Sequence, residues 1–152
     1  LIETMLDNSH IDVLYSPYVL RCAGQLSSAI LALDTNKGYY YSASAYQDYY
    51  KQKLIEGSID ECEGIGMGLT VYKREVIEQV PFRLATEQEK EAFGYEGHAD
   101  TYHAVDLQRD GYKQYVHYGI PHSHVFHDEQ RAYLATPDSS YQQCIRWELI
   151  DE

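Results

Sequence analysis

LALDTNKGYYYSASAYQDYYKQKLIEG, residues 31–57, sets six tyrosines between Tyr39 and Tyr50, directly behind a run of turn formers from Asp34 to Gly38. The apolar residues 28–34 (SAILALD), the TNKG cluster and the β-prone YYYSA that follows predict a short hairpin. Ser42 or Ser44 can cap a helix in which Tyr46, Tyr50 and Leu54 recur at i, i+4 and i+8, and Gly57 stands where a helix C-terminus favours glycine. The tyrosines of that helix therefore share a face.

Working outward, residues 1–14 place Ile2, Met5, Leu6 and Val13 at near-helical spacing. Ser16-Pro17 reads as an N-cap followed by proline at the first helical position, and Val19, Cys22, Ala23 and Leu26 continue a helical face, so residues 1–27 form an N-terminal helical segment. After the Gly-rich ECEGIGMG, residues 69–80 fit a helix through Leu69, Tyr72, Val76 and Val80, although LTVY alone also passes as strand; Pro81 ends it. Thr86 and Glu89 make a capping-box pattern for EQEKEAF. Residues 101–121 (TYHAVDLQRDGYKQYVHYGIP) predict a hairpin turning at Asp110-Gly111, with Tyr112, Gln114, Val116 and Tyr118 on one face of its second arm. Cys144–Leu149 alternate as a half-buried strand. The expected class is α+β: one domain over 1–152, with a small antiparallel sheet of about five strands flanked by helices.

Composition sets limits on function. The chain has 152 residues, long enough to bury roughly 70% of its unfolded surface, and its 44% apolar and 24% charged residues are those of a globular protein. Sixteen tyrosines are about three times the usual share. The net charge of −12 repels phosphate backbones, so direct nucleic-acid binding is not expected, while a basic protein partner is compatible. No apolar run reaches the roughly 20 residues of a membrane span. Cys22, Cys62 and Cys144 match no metal-ligand spacing, and the odd count is a poor disulfide framework, which points to a cytoplasmic setting, with export as the alternative. Cys22 and Cys144 read as packed thiols. The chain opens on Leu1 rather than Met, which suggests an excised domain or a processed product.

Six of the seven histidines lie between His98 and His127. In an extended strand His122 and His124 project to one side, as two imidazole ligands of one metal must, and His127 or Glu129 can return after a turn as a third; His98, Asp100, His103 and Asp106 are further candidate donors. A solvent-exposed histidine loop is the alternative. GIGMG lacks the Gly-Lys-Ser/Thr ending of a phosphate loop, and no GxSxG elbow exists.

Leu33-Asp34, Asn36 to Gly38, Tyr39 to Tyr41, Ser44-Ala45-Tyr46 and Gly57, followed by YKREVIEQVPF, by DLQRDGYKQYVHYGIP and by CIRWELIDE, resemble the order of PAS sensor domains over about residues 28–151. The resemblance implies a small antiparallel sheet flanked by helices, a non-enzymatic sensory or regulatory role, dimerisation through an N-terminal helix and an attached output domain in a larger signalling or transcription protein. Rings from Tyr41, Tyr46, Tyr50, Tyr72 and Tyr118 would then line a pocket for a small-molecule ligand whose identity the sequence leaves unknown. Core filling by the same rings is the alternative. A stand-alone acidic inhibitor of a basic partner, and a metal enzyme at His122, His124 and His127, are the other two functional expectations.

Overall fold

Val13, Leu14 and Tyr15 are each no more than 2% exposed, and they form the strand around which the main sheet is built. The structure, a computed structural model, describes residues 1–22, 25–28, 31–34, 39–42, 47–93, 98–126, 131–134 and 143–146, with side chains described over 1–18, 52–91 and 98–122. In chain order the elements are α1 (Ile2–Asp7), β1 (Val13–Tyr15), β2 (Val19–Cys22), β3 (Gln25–Ser28), β4 (Leu31–Asp34), β5 (Tyr39–Ser42), α2 (Gln47–Glu56), β6 (Ile59–Glu61), β7 (Thr70–Tyr72), α3 (Arg74–Gln79), α4 (Glu87–Phe93), α5 (Ala99–Arg109), β8 (Gln114–His117), β9 (Ser123–Phe126), β10 (Arg131–Leu134) and β11 (Gln143–Arg146). The class is α+β, as expected.

The main sheet has the order β6-β8-β1-β7. β1 runs parallel to β8, with Leu14 opposite Tyr115, and antiparallel to β7, with Leu14 opposite Val71. β6 closes the other side against β8. This mixed sheet differs from the single antiparallel sheet of about five strands read from the sequence. The remaining described strands form a three-stranded antiparallel sheet, β11-β10-β9, and the pairs β2-β3 and β4-β5.

Strand alternation sends the chain's apolar residues to two cores. Val13, Tyr15, Val116 and Tyr118 pack with Leu54 of α2, Val76 of α3 and Leu107 of α5, whereas Leu14 packs with Met5 of α1, Ile11 and the flanking Ile59, Val71 and Tyr115. Burial of each large side chain contributes roughly 1.5–3 kcal/mol, which is why a three-residue strand can anchor the sheet.

Two expectations are corrected. Among the described residues of 1–27, helix is confined to Ile2–Asp7; Ser16-Pro17 follows β1 and starts no helix, and Val19–Cys22 pairs with Gln25–Ser28 as a hairpin. The first arm of the predicted 101–121 hairpin is α5. Its buried residues Tyr102, His103, Ala104, Asp106 and Leu107 make a helical stripe, and Asp110-Gly111 ends that helix instead of turning two strands. Gly111 has φ +82°, its N–H donates to the Gln108 carbonyl at 3.1 Å, and the Tyr112 N–H donates to the Leu107 carbonyl at 2.9 Å. These two bonds are a Schellman cap.

Other readings hold. β4 and β5 pair antiparallel with Asp34 opposite Tyr39, and α2 ends at Gly57, whose φ is +64°. The helix expected over residues 69–80 holds only in part: it forms as α3, while Thr70–Tyr72 take the strand alternative as β7. The Thr86 N–H donates to Glu89 Oε2 at 2.8 Å and the Glu89 N–H to Thr86 Oγ1 at 3.2 Å, a reciprocal capping box for α4. Burial alternates along β8 with Gln114 and Val116 inward, as the sequence pattern predicts. Among the described residues no helix is long and apolar enough to cross a membrane.

Candidate functional site

Thr70 and Tyr72 lie two apart on β7, so their side chains project to the same face, the one covered by α5. That helix contributes His103, which is 1% exposed, with its ring 5.5 Å from the Tyr72 ring. His103 also stacks face to face on Phe82, at 3.8 Å and 28° between planes. Thr70 Oγ1, the Tyr72 hydroxyl and both ring nitrogens of His103 are buried without a hydrogen-bond partner. The Tyr15 hydroxyl, which donates to Gln114 Oε1 at 2.7 Å, is near enough to act on Tyr72's ionisation without reaching hydrogen-bond geometry with it. The Pro81 carbonyl faces His103 without reaching hydrogen-bond geometry.

Neighbouring polar groups are satisfied, which makes these four atoms distinctive. Gln114, 2% exposed, accepts from Tyr15 and donates to the Ala104 and Glu63 carbonyls at 3.1 and 3.3 Å. A buried polar atom left without a partner costs about 1–3 kcal/mol, and most native interiors avoid it.

Electrostatics keep the layer neutral. Burial, reinforced by the Asp100 carboxylate, pushes Tyr72 up to about 12, against a smaller opposing effect of Tyr15. Burial also lowers His103 from its ordinary value, with the Pro81 carbonyl and Asp106 opposing. Imidazole and phenol are therefore uncharged near neutral pH, presenting donors and acceptors rather than ions.

The strap from Val80 to Thr86 covers the layer. Arg83 anchors it, with Nε to Asp106 Oδ2 at 2.5 Å, Nη2 to Asp106 Oδ1 at 2.9 Å, and two bonds to the Glu89 carboxylate at 2.7 and 2.8 Å. The Arg83 hydrogen bonds hold Glu89 down at about 2.

At the ends of the parallel pair, Ser16 Oγ lies 2.5 Å from the Ile120 carbonyl and 2.8 Å from His122 Nδ1. Ser16 has one hydroxyl hydrogen and the carbonyl can only accept, so Ser16 donates to Ile120 and accepts from His122 Nδ1–H. His122 thus cannot draw the Ser16 proton, and the 1% exposed Ser16 is a brace, not a nucleophile. Tyr18 packs against His122, 4.8 Å between ring centroids. A Cβ on Gly68 would collide with the His122 ring, and one on Gly66 with the Tyr18 hydroxyl. GIGMG is therefore glycine-rich because two side chains press onto its backbone, and Asp100 Oδ2 accepts the Met67 N–H there at 3.2 Å.

Of the expected ligand residues, Tyr72 and Tyr118 share the main core, Tyr118 being 4% exposed. Tyr41 lies on β5 and Tyr50 on α2, but their side chains, with all of Tyr46, lie outside the described residues. Of the expected metal ligands, His122 is the Ser16 partner; His124 lies on β9 opposite Tyr133 with its side chain outside the described residues, as is His127. Among the described residues no group of three His, Cys, Asp or Glu side chains could hold a metal ion. Burial holds the Cys62 thiol up at about 12, so it is not a thiolate near neutral pH. Cys62 lines a cleft of about 390 Å³ with Glu61, Glu63, Gln108, Tyr112 and Lys113, where Lys113 already pairs with Glu61 at 2.9 Å.

Thr70 and Phe82 carried no signal in the sequence reading, and His103 counted there only as a further metal donor. Its position four residues before Leu107 marks it as buried once the segment is read as helix. Compared with models of protein families, with curated proteins and with solved structures, the chain has no match in any of the three.

Proposed function

We propose that this chain is a non-enzymatic sensory or regulatory domain that takes a small, uncharged, hydrogen-bonding molecule into the layer between β7 and α5. The observation that carries this reading is the set of unpartnered buried atoms on Thr70, Tyr72 and His103. Apolar residues of similar shape would remove their desolvation penalty, whereas a ligand with complementary donors and acceptors offsets it on binding. Neutral groups suit recognition more than acid–base chemistry, and the protonated Cys62 and the braced Ser16 agree with binding. The order of hairpin β4-β5, then helix α2 ending at Gly57, supports the PAS-like part of the proposal. In it, ligand occupancy shifts a conformational population that an attached output domain reads, in a cytoplasmic protein able to form a homodimer.

Native mass spectrometry with an absorbance spectrum of natively purified protein tests the reading. A retained small molecule that is lost in Thr70→Val and Tyr72→Phe, while both variants remain folded, is the expected result. No retained or added small molecule shifting the mass or the melting temperature, or one equally retained by both variants, overturns it. The net charge of −12 favours one second reading, a binding protein for a basic partner; its mark would be a complex that dissolves with rising salt.

A further inference from the structure

We infer that His103 is a proton-operated latch: taking up one proton drives its ring out of its slot beside Tyr72 and Phe82 and releases the Phe82 end of the 80–86 strap. The slot is formed by Phe82, stacked on one flat side of the ring at 3.8 Å, and by Tyr72, tilted toward the ring's edge at 5.5 Å. Phe82 also meets Tyr72 edge-on at 6.4 Å and is 40% exposed, so it is the boundary between the layer and solvent. An imidazolium needs partners for two N–H groups, and the slot provides none at hydrogen-bond geometry.

The neighbouring elements compensate that charge only in part. From β7 come the Tyr72 phenol, uncharged, and the Thr70 hydroxyl. From the strap come the Phe82 ring and the Pro81 carbonyl, which favours the proton without reaching hydrogen-bond geometry. On α5, Asp106 favours the proton but is already bound by Arg83 and by Arg109, the latter at 2.8 Å. From α4, Glu89 is bound by Arg83. Desolvation thus outweighs attraction to Asp106, in line with the lowered pKa of His103.

The direction follows from linkage. In the open strap His103 meets water and recovers its ordinary value near 6.5, above that of the closed form. Closure is fully favoured above about 6.5, and between the two values each unit fall in pH raises the ratio of open to closed strap about tenfold. Glu89, held at about 2, keeps Arg83 anchored over that window, so the strap pivots at Arg83 and its Phe82 end swings free. The latch governs access to the proposed ligand layer, yet it is a property of the unliganded chain and stands whether or not a ligand is found.

The test is an NMR titration of the unliganded protein from pH 8 to 4.5, following the His103 Cε1–H signal, the Phe82-to-His103 cross-peaks and the Val13 and Leu14 methyl groups. The expected result is a His103 midpoint below 6.5, cross-peaks lost with the same midpoint, and unchanged methyl signals. His103→Phe, which keeps the stack without a titrating group, should hold the Phe82 signals constant over this range. A midpoint at or above 6.5, cross-peaks that survive it, methyl signals collapsing with it, or Phe82 moving equally in His103→Phe would overturn the latch. Should His103→Phe not fold, the wild-type midpoint and cross-peaks decide alone.

Discussion

Tyr72 carries its hydroxyl into the interior and leaves it without a partner, while the chemically identical Tyr15, one strand away, spends its own on Gln114. Replacing Tyr72 by phenylalanine keeps the ring packing and deletes only the orphaned oxygen. The unliganded variant should gain about 1 kcal/mol, or about 2–4 °C in melting temperature by calorimetry. Tyr15→Phe should go the other way, because it strands Gln114 Oε1. Gly68 offers a second residue-level check: the His122 ring fills the space where a Cβ would stand and is fixed there by Ser16. Gly68→Ala should lose roughly 1–3 kcal/mol in urea denaturation, and His122→Ala in the same chain should restore most of it. No reading of the sequence could assign Gly68 this role, since the histidine that demands it lies 54 positions away in the chain.

At the scale of elements, α4 and α5 show which local signals were legible. The Thr86/Glu89 box was, because all its bonds lie within four consecutive residues. Thr86→Ala should cost about 1 kcal/mol. Glu89 has its folded pKa depressed by Arg83 from 4.5 to about 2, so its contribution is present above about 4.5 and disappears as pH falls from there through about 2. The urea midpoints of wild type and Glu89→Gln should therefore differ at pH 7 and converge near pH 2. Asp110-Gly111 misled because a left-handed glycine serves a hairpin turn and a helix cap equally well. A Cβ at Gly111 meets nothing within 4 Å, so Gly111→Ala isolates backbone strain at φ +82°. It should cost about 1–2 kcal/mol, and less as Gly111→Asn.

For the whole molecule, the decisive feature is the parallel pairing of β1 with β8, which joins Val13–Tyr15 to Gln114–Val116. β1 is hydrogen-bonded on both sides and packed on both faces, so its amides should be the slowest to exchange; exchange that begins there would contradict this architecture. The charge of −12 acts over the same scale. Screening its self-repulsion should raise the melting temperature as salt increases from low concentration, and the protein should leave a DNA duplex unshifted on a native gel.

The sequence by itself determined the α+β class, the β4-β5 hairpin, the C-terminal end of α2, the capped start of α4, and the alternation of β8, because propensity, capping and turn chemistry act between residues a few positions apart. Only the tertiary structure decided that β1 pairs in parallel with a strand about 100 residues later, and that Thr70, Tyr72, Phe82 and His103 share one layer. Both depend on packing between distant segments, where the burial available to the whole chain overrides what a local stretch would choose.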